Sequence, residues 1–202
     1  MERLSVIEWA MDLAKSTATR STCLSRKVGC VLLDNRNHVI GTGYNGSASG
    51  LQHCSDNGVC YKRAKGYASG TGDEICPAIH AEVNAVIQCK DVYSIHTVYV
   101  TTAPCHTCTK MLLSTNAQII YYIDDYVSLS GMKARNMWEN AGRKWIKLNR
   151  APYVGALTSV NTMAPTTKAL EHNTDIAEIS KDFYKTVSDL LGRIRSSVGK
   201  VV

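Results

Sequence analysis

The run Thr97-Val98-Tyr99-Val100-Thr101, then Pro104-Cys105-His106-Thr107-Cys108, then Gln118-Ile119-Ile120-Tyr121-Tyr122-Ile123 decides the fold class. Its two flanking runs are short and rich in β-branched and aromatic residues, as strands are. The segment between them, from Cys105 to about Thr115, is long enough for a helix. Upstream, His80 to Lys90 is a second helical run, so helix and strand alternate from His80 onward. That alternation predicts an α/β sandwich with locally parallel strands, because parallel strands need a crossover about as long as a helix.

Working outward, Leu4, Ile7, Met11 and Ala14 recur at helical spacing while Glu2, Glu8 and Lys15 fall elsewhere, which predicts an amphipathic opening helix. Val28 to Leu33 and His38 to Thr42 are apolar runs separated by Asp34-Asn35-Arg36-Asn37, a turn-forming cluster, and read as a β-hairpin. A Gly-rich loop from Gly43 to Gly72 follows, too long for a plain connector and of the kind that is functional or metal-stapled. A helix over Met132 to Ala141 ends at Gly142, and Lys144 to Leu148 supplies a fifth strand. The expected domain therefore spans residues 1–150. Over 151–202 an irregular stretch leads to Ile176, Ile179, Phe183, Val187, Leu190, Ile194 and Val198, the stripe of a long helix that packs on the domain or on another subunit.

With 202 residues, 45% hydrophobic and 20% charged, the chain is neither disordered nor collagen-like. Apolar stretches such as Ile119 to Ile123 are far too short to cross a bilayer, so no membrane role is expected and the cytoplasm is the default location. The formal charge of +6 suits an anionic partner such as a phosphate ester. The cations are scattered as Arg26-Lys27, Lys62-Arg63 and Arg143-Lys144, which reads as solvated surface and argues against a nucleic-acid track. Eight cysteines without an export signal are read as reduced thiols.

His80-Ala81-Glu82 and Pro104-Cys105-His106-Thr107-Cys108 each open an expected helix. Cys105 and Cys108 share a face one helical turn apart, at a helix N-terminus that favours thiolates. Two thiolates and one imidazole bind zinc, and three protein ligands leave a fourth position open, the mark of a catalytic rather than a structural ion. Glu82 is placed to move protons without binding the metal. Taken singly, a Cys-x-x-Cys pair or a His-Ala-Glu triplet carries little information. Together, in this order, they match the His-x-Glu and Pro-Cys-x-x-Cys pattern of zinc-dependent nucleobase deaminases.

The sequence resembles the deoxycytidylate deaminases of the cytidine deaminase superfamily over roughly residues 1–150. Beyond the zinc motif, Ser25 to Cys30, Gly43 to Ser47 and His80 to Ala85 follow that family's blocks in order. The resemblance implies a three-layer α-β-α fold with a mixed five-stranded sheet, and hydrolysis of dCMP to dUMP and ammonia. It implies Zn2+ on His80, Cys105 and Cys108, Glu82 as the proton carrier, and Asn45 and Ala81 at the substrate. It places Arg26 and Lys27 where a 5′-phosphate could be received, and Tyr126, just past a strand end, could stack on the base. It further implies a homohexamer activated by dCTP and inhibited by dTTP, with Gly43, Tyr44 and Gly46 near the effector, working in the cytoplasm, or a host's cytoplasm for a viral chain. A second, structural zinc in the long loop would take Cys23, Cys54, Cys60 and Cys76, with His53 able to replace one thiol. The competing readings are a deaminase of adenine or cytosine in nucleic acid and a non-catalytic zinc-dependent nucleotide-binding module.

Overall fold

The computed structural model of the chain describes residues 3–68, 71–126 and 128–149. Helix α1, Val6–Ala18, starts at a capping box: Ser5 Oγ accepts from the Glu8 amide at 3.2 Å, and Glu8 Oε2 accepts from the Ser5 amide at 2.9 Å. Strands β1, Gly29–Leu33, and β2, Val39–Tyr44, form the expected hairpin, with Asp34 Oδ1 accepting from the Arg36 and His38 amides in its turn. The long loop holds short elements that no periodicity announces, β3 at Gly46–Ser47, α2 at Cys54–Asn57 and α3 at Tyr61–Ala64, and another, β4 at Ala78–Ile79, follows it. The alternating half follows as α4, Ala81–Gln88; β5, Thr97–Thr102; α5, His106–Leu113; β6, Ile119–Asp124; α6, Leu129–Asn140; and β7, Lys144–Lys147.

The main sheet runs β2-β1-β5-β6-β7, antiparallel across β1 and parallel from β5 to β7. It is the mixed five-stranded sheet expected, and its two faces carry separate cores because side chains alternate along each strand. Cys30, Leu32, Val98, Val100, Ile120 and Tyr122 pack with residues of α4, α5 and α6, while Val31, Leu33, Tyr99 and Ile123 pack with Ala10, Met11 and Ala14 of α1. The result is three layers, α1 on one face and α4 to α6 on the other. Gly29 allows α1 to lie directly on the sheet: a Cβ there would sit 2.1 Å from the Ala14 carbonyl oxygen.

Three helix starts differ from the reading of the sequence. Helix α6 begins at Leu129, one turn earlier than Met132, because Ser128 caps it by accepting from the Gly131 amide at 3.1 Å. Helices α4 and α5 begin one residue later than expected, which leaves His80 and Cys105 as their N-cap residues in extended backbone. No helix among the described residues is long and apolar enough to cross a membrane. The extension expected over 151–202 lies outside the described residues.

Candidate active site

β3 and β4 pair through Gly46–Ile79 and Ser47–Ala78, and so bring Asn45, just before β3, beside His80, just after β4. Helix α4 is drawn against β2: the Asn84 side-chain amide donates to the Tyr44 carbonyl at 2.7 Å, and a Cβ at Gly43 would lie 2.3 Å from the Ala81 carbonyl oxygen. The end of β5 delivers Cys105 and α5 to the same place. The N-termini of α4 and α5 therefore converge, and their partial positive charge favours thiolates and a carboxylate there.

His80 Nδ1 lies 3.5 Å from Cys105 Sγ and 3.4 Å from Cys108 Sγ. A tetrahedral zinc with Zn–N of about 2.05 Å and Zn–S of about 2.3 Å requires N···S separations of about 3.5 Å, so the donor set fits that ion in both chemistry and spacing. Among the described residues this trio is the one group of three or more His, Cys, Asp or Glu side chains whose ligand atoms lie within 4.8 Å of one another. The S–H of Cys108, together with His80, pulls the Cys105 thiol down to about 4 against the effect of burial. Cys108 is pushed up in turn by that hydrogen bond and by burial.

Glu82 is 4% exposed. Burial pushes its carboxyl up to about 7 against the pull of His80. With His80, Ala81 and Cys105 it lines a cavity of about 270 Å³, while Cys108 lies behind and is almost fully buried. Asn45, Arg26 and Tyr126 line the same cavity. Asn45 Oδ1 accepts from Ser21 Oγ at 2.7 Å and from the Val28 amide at 2.8 Å, and its Nδ2 donates to the Arg26 carbonyl at 2.8 Å. The Arg26 guanidinium lies over the Tyr126 ring, 5.7 Å from its centroid.

The chain belongs to the cytidine and deoxycytidylate deaminase family. The family model for the cytidine and deoxycytidylate deaminase zinc-binding region matches residues 4–123. ComE operon protein 2 of Bacillus subtilis is 33% identical over 146 residues, 70% of each chain. The deoxycytidylate deaminase of Mycobacterium phage D29 is 35% identical over 129 residues, 60% of this chain and 97% of its own length. The solved dCMP deaminase of cyanophage S-TIM5, in complex with dCMP and dUMP, shares the fold: TM-score 0.57, 24% identity, 73% of this chain and all of that one. The chain is thus an enzyme of a zinc-binding deaminase family, and His80, Cys105 and Cys108 are its candidate metal ligands among the described residues.

Other residues singled out in the sequence fall elsewhere in this deaminase. Lys27 is exposed and does not line the cavity. Gly43 admits α4, and a Cβ at Gly46 would lie 2.5 Å from Thr22 Oγ1, so both glycines have packing reasons for their identity; Tyr44 receives the Asn84 bond on its carbonyl. Cys23, Cys60 and Cys76 line the same cavity as Glu82, and with buried Cys54 they do not form a preassembled trio within 4.8 Å. Cys54 is nonetheless close enough to the other three that, after burial, their charges push its thiol up. Lys62, Arg63 and Tyr67 line the cavity and were not expected to. The Lys62-Arg63 pair was visible in the sequence, but a four-residue helix has no periodicity to show which way it faces.

Proposed function

We propose that this enzyme converts dCMP and water to dUMP and ammonia. The observation that carries the reading is Glu82, a buried carboxyl two residues past His80, opening into a cavity whose other walls present cations. Bound by His80, Cys105 and Cys108, zinc supplies the Lewis acidity that makes water a nucleophile at neutral pH. Glu82 takes the proton released by the attacking water and gives it to N3 of the cytosine as C4 becomes tetrahedral. It then carries the second proton to the departing amine nitrogen, which leaves as ammonia. Asn45 keeps one amide hydrogen for the sugar after its three bonds to the protein, and Ala81 forms part of the wall against the base. The Tyr126 ring, held under Arg26, borders the pyrimidine.

The resemblance extends the proposal to a homohexamer activated by dCTP and inhibited by dTTP, with Gly43, Tyr44 and Gly46 near the effector. It also extends it to a cytoplasmic enzyme that supplies the precursor of dTTP. A second, structural zinc on Cys23, Cys54, Cys60 and Cys76 belongs to the same reading. Its support is the gathering of three thiols around Cys54, together with the buried Nδ1 of neighbouring His53, which has no hydrogen-bond partner. Elemental analysis tests it: two zinc ions per subunit, falling to one in Cys54→Ala, are expected, and a ratio of one in the parent removes it.

The function is tested by ammonia release from dCMP, CMP, cytidine and single-stranded DNA, with and without dCTP or dTTP. Preference for dCMP, raised by dCTP and lowered by dTTP, is expected. Deamination of the DNA in preference to dCMP would overturn the substrate assignment, and a response to neither triphosphate would remove the regulation.

A further inference from the structure

Cys105 stands at the N-cap of α5, the position from which a side-chain oxygen ordinarily accepts from amides of the first turn. Its side chain makes no such bond, and its sulfur lies 3.5 Å from His80 Nδ1, within the candidate metal set. One of the first-turn amides, that of His106, donates instead to Ser130 Oγ at 3.1 Å, so the hydroxyl that holds the start of α5 comes from α6. The next residue, Gly131, lies directly against Tyr126, since a Cβ there would sit 2.0 Å from the Tyr126 carbonyl oxygen. Gly131 is fixed in turn by its amide, which donates to Ser128 Oγ at 3.1 Å. Tyr126 lines the cavity with its ring under the Arg26 guanidinium. One helical turn of α6 therefore braces the residue after Cys105 on one side and a wall of the cavity on the other.

We propose that Ser130 is a positioning residue for the metal site. Its hydroxyl supplies, from another helix, the bond to the start of α5 that Cys105 does not make, and so fixes where the Cys105 sulfur points. Through Gly131 the same turn keeps Tyr126 in register with that sulfur. The proposal rests on the reading of His80, Cys105 and Cys108 as zinc ligands. A group that orients a ligand without touching the ion changes metal affinity by about 10–100-fold.

The test uses the full chain and its variants Ser130→Ala, Ser130→Thr, Ser128→Ala and Cys108→Ser. Competition with a chromophoric chelator reads zinc affinity, and the sulfur-to-metal absorption band of the cobalt-substituted proteins reads the geometry at the sulfurs, Cys108→Ser marking the band that belongs to this site. Ser130→Ala should hold zinc about 10–100-fold more weakly, shift that band and, at saturating zinc, raise KM for dCMP. Ser130→Thr keeps the hydroxyl and should recover most of the loss. Ser128→Ala removes the cap of the same helix, so it should lower the melting temperature at least as much as Ser130→Ala while binding zinc like the parent. A Ser130→Ala protein with the parent's zinc affinity and band overturns the positioning role and leaves the zinc reading standing. Equal loss of zinc in Ser128→Ala also overturns it, since any weakening of α6 would then suffice. A parent whose zinc affinity and cobalt band are unmoved by Cys108→Ser overturns both.

Discussion

Asn45 joins three segments: it accepts from Ser21 and Val28 and donates to Arg26, all within 2.8 Å. Replacing it by Ala leaves buried or half-buried partners without their bonds, which costs about 2–3 kcal/mol. Asn45→Ala should therefore lower the urea midpoint and, by loosening Arg26, raise KM for dCMP more than it lowers kcat. A variant with unchanged stability would show that these bonds are not held in solution. Cys108 is 1% exposed and offers the second sulfur of the trio. Cys108→Ser should empty the zinc site on dialysis where the parent keeps its ion, since a hydroxyl is a far poorer ligand than a thiolate. At this scale the grouping of His80 with Cys105 and Cys108 was legible in the sequence because each motif is a short run at the start of a helix. Lys62 and Arg63 were not, because only the β3–β4 pairing and the Ser25 contact carry them to the cavity.

Helix α4 carries His80 at its cap and Glu82 in its first turn, so its seat on β2 sets the geometry of the chemistry. A methyl group at Gly43 would meet the Ala81 carbonyl oxygen and the Ala85 nitrogen, both at 2.3 Å. Gly43→Ala should destabilise the protein by about 1–3 kcal/mol and weaken zinc retention, because backbone must move. Ser5→Ala is the contrasting case. It removes the α1 cap on the other side of the sheet and should cost about 1 kcal/mol with kcat unchanged. Thermal melts and zinc content of the two variants separate the effects. The longer elements were legible for other reasons: β5 and β6 are rich in β-branched and aromatic residues, and the segment between them is long enough for α5. β3 and β4 have two residues each, and α2 and α3 four each, too few for any period to emerge. The early start of α6 escaped because its signal is a single serine cap followed by Gly131.

Across the whole molecule, the candidate metal ligands lie at the starts of two helices that share one core face, so an ion held there would tie α4 and α5 together against the sheet. An ion bound by the folded form alone stabilises it by about 4 kcal/mol when free metal exceeds the dissociation constant a thousandfold. Treatment with a strong chelator should lower the melting temperature and abolish deamination, and stoichiometric zinc should restore both. Loss of activity with no change in melting temperature would mean that the ion does not brace the fold. The mixed sheet was foreseeable from the hairpin and the alternating half, whereas the second small sheet, which closes the cavity, depends on a contact between residues far apart in sequence.

In the proposed function, Glu82 carries the protons for hydrolysis of dCMP beside a zinc ion held by three other side chains. That role is tested most directly by following dCMP consumption at one zinc per catalytic site in the parent and in Glu82→Gln, a swap that keeps the shape of the side chain and removes its proton chemistry. The parent should convert dCMP to dUMP, and the variant, with its zinc content unchanged, should be slower by about 10²–10⁴-fold or inactive. A zinc-loaded Glu82→Gln protein that deaminates dCMP at the parent's rate would show that Glu82 is not the proton carrier.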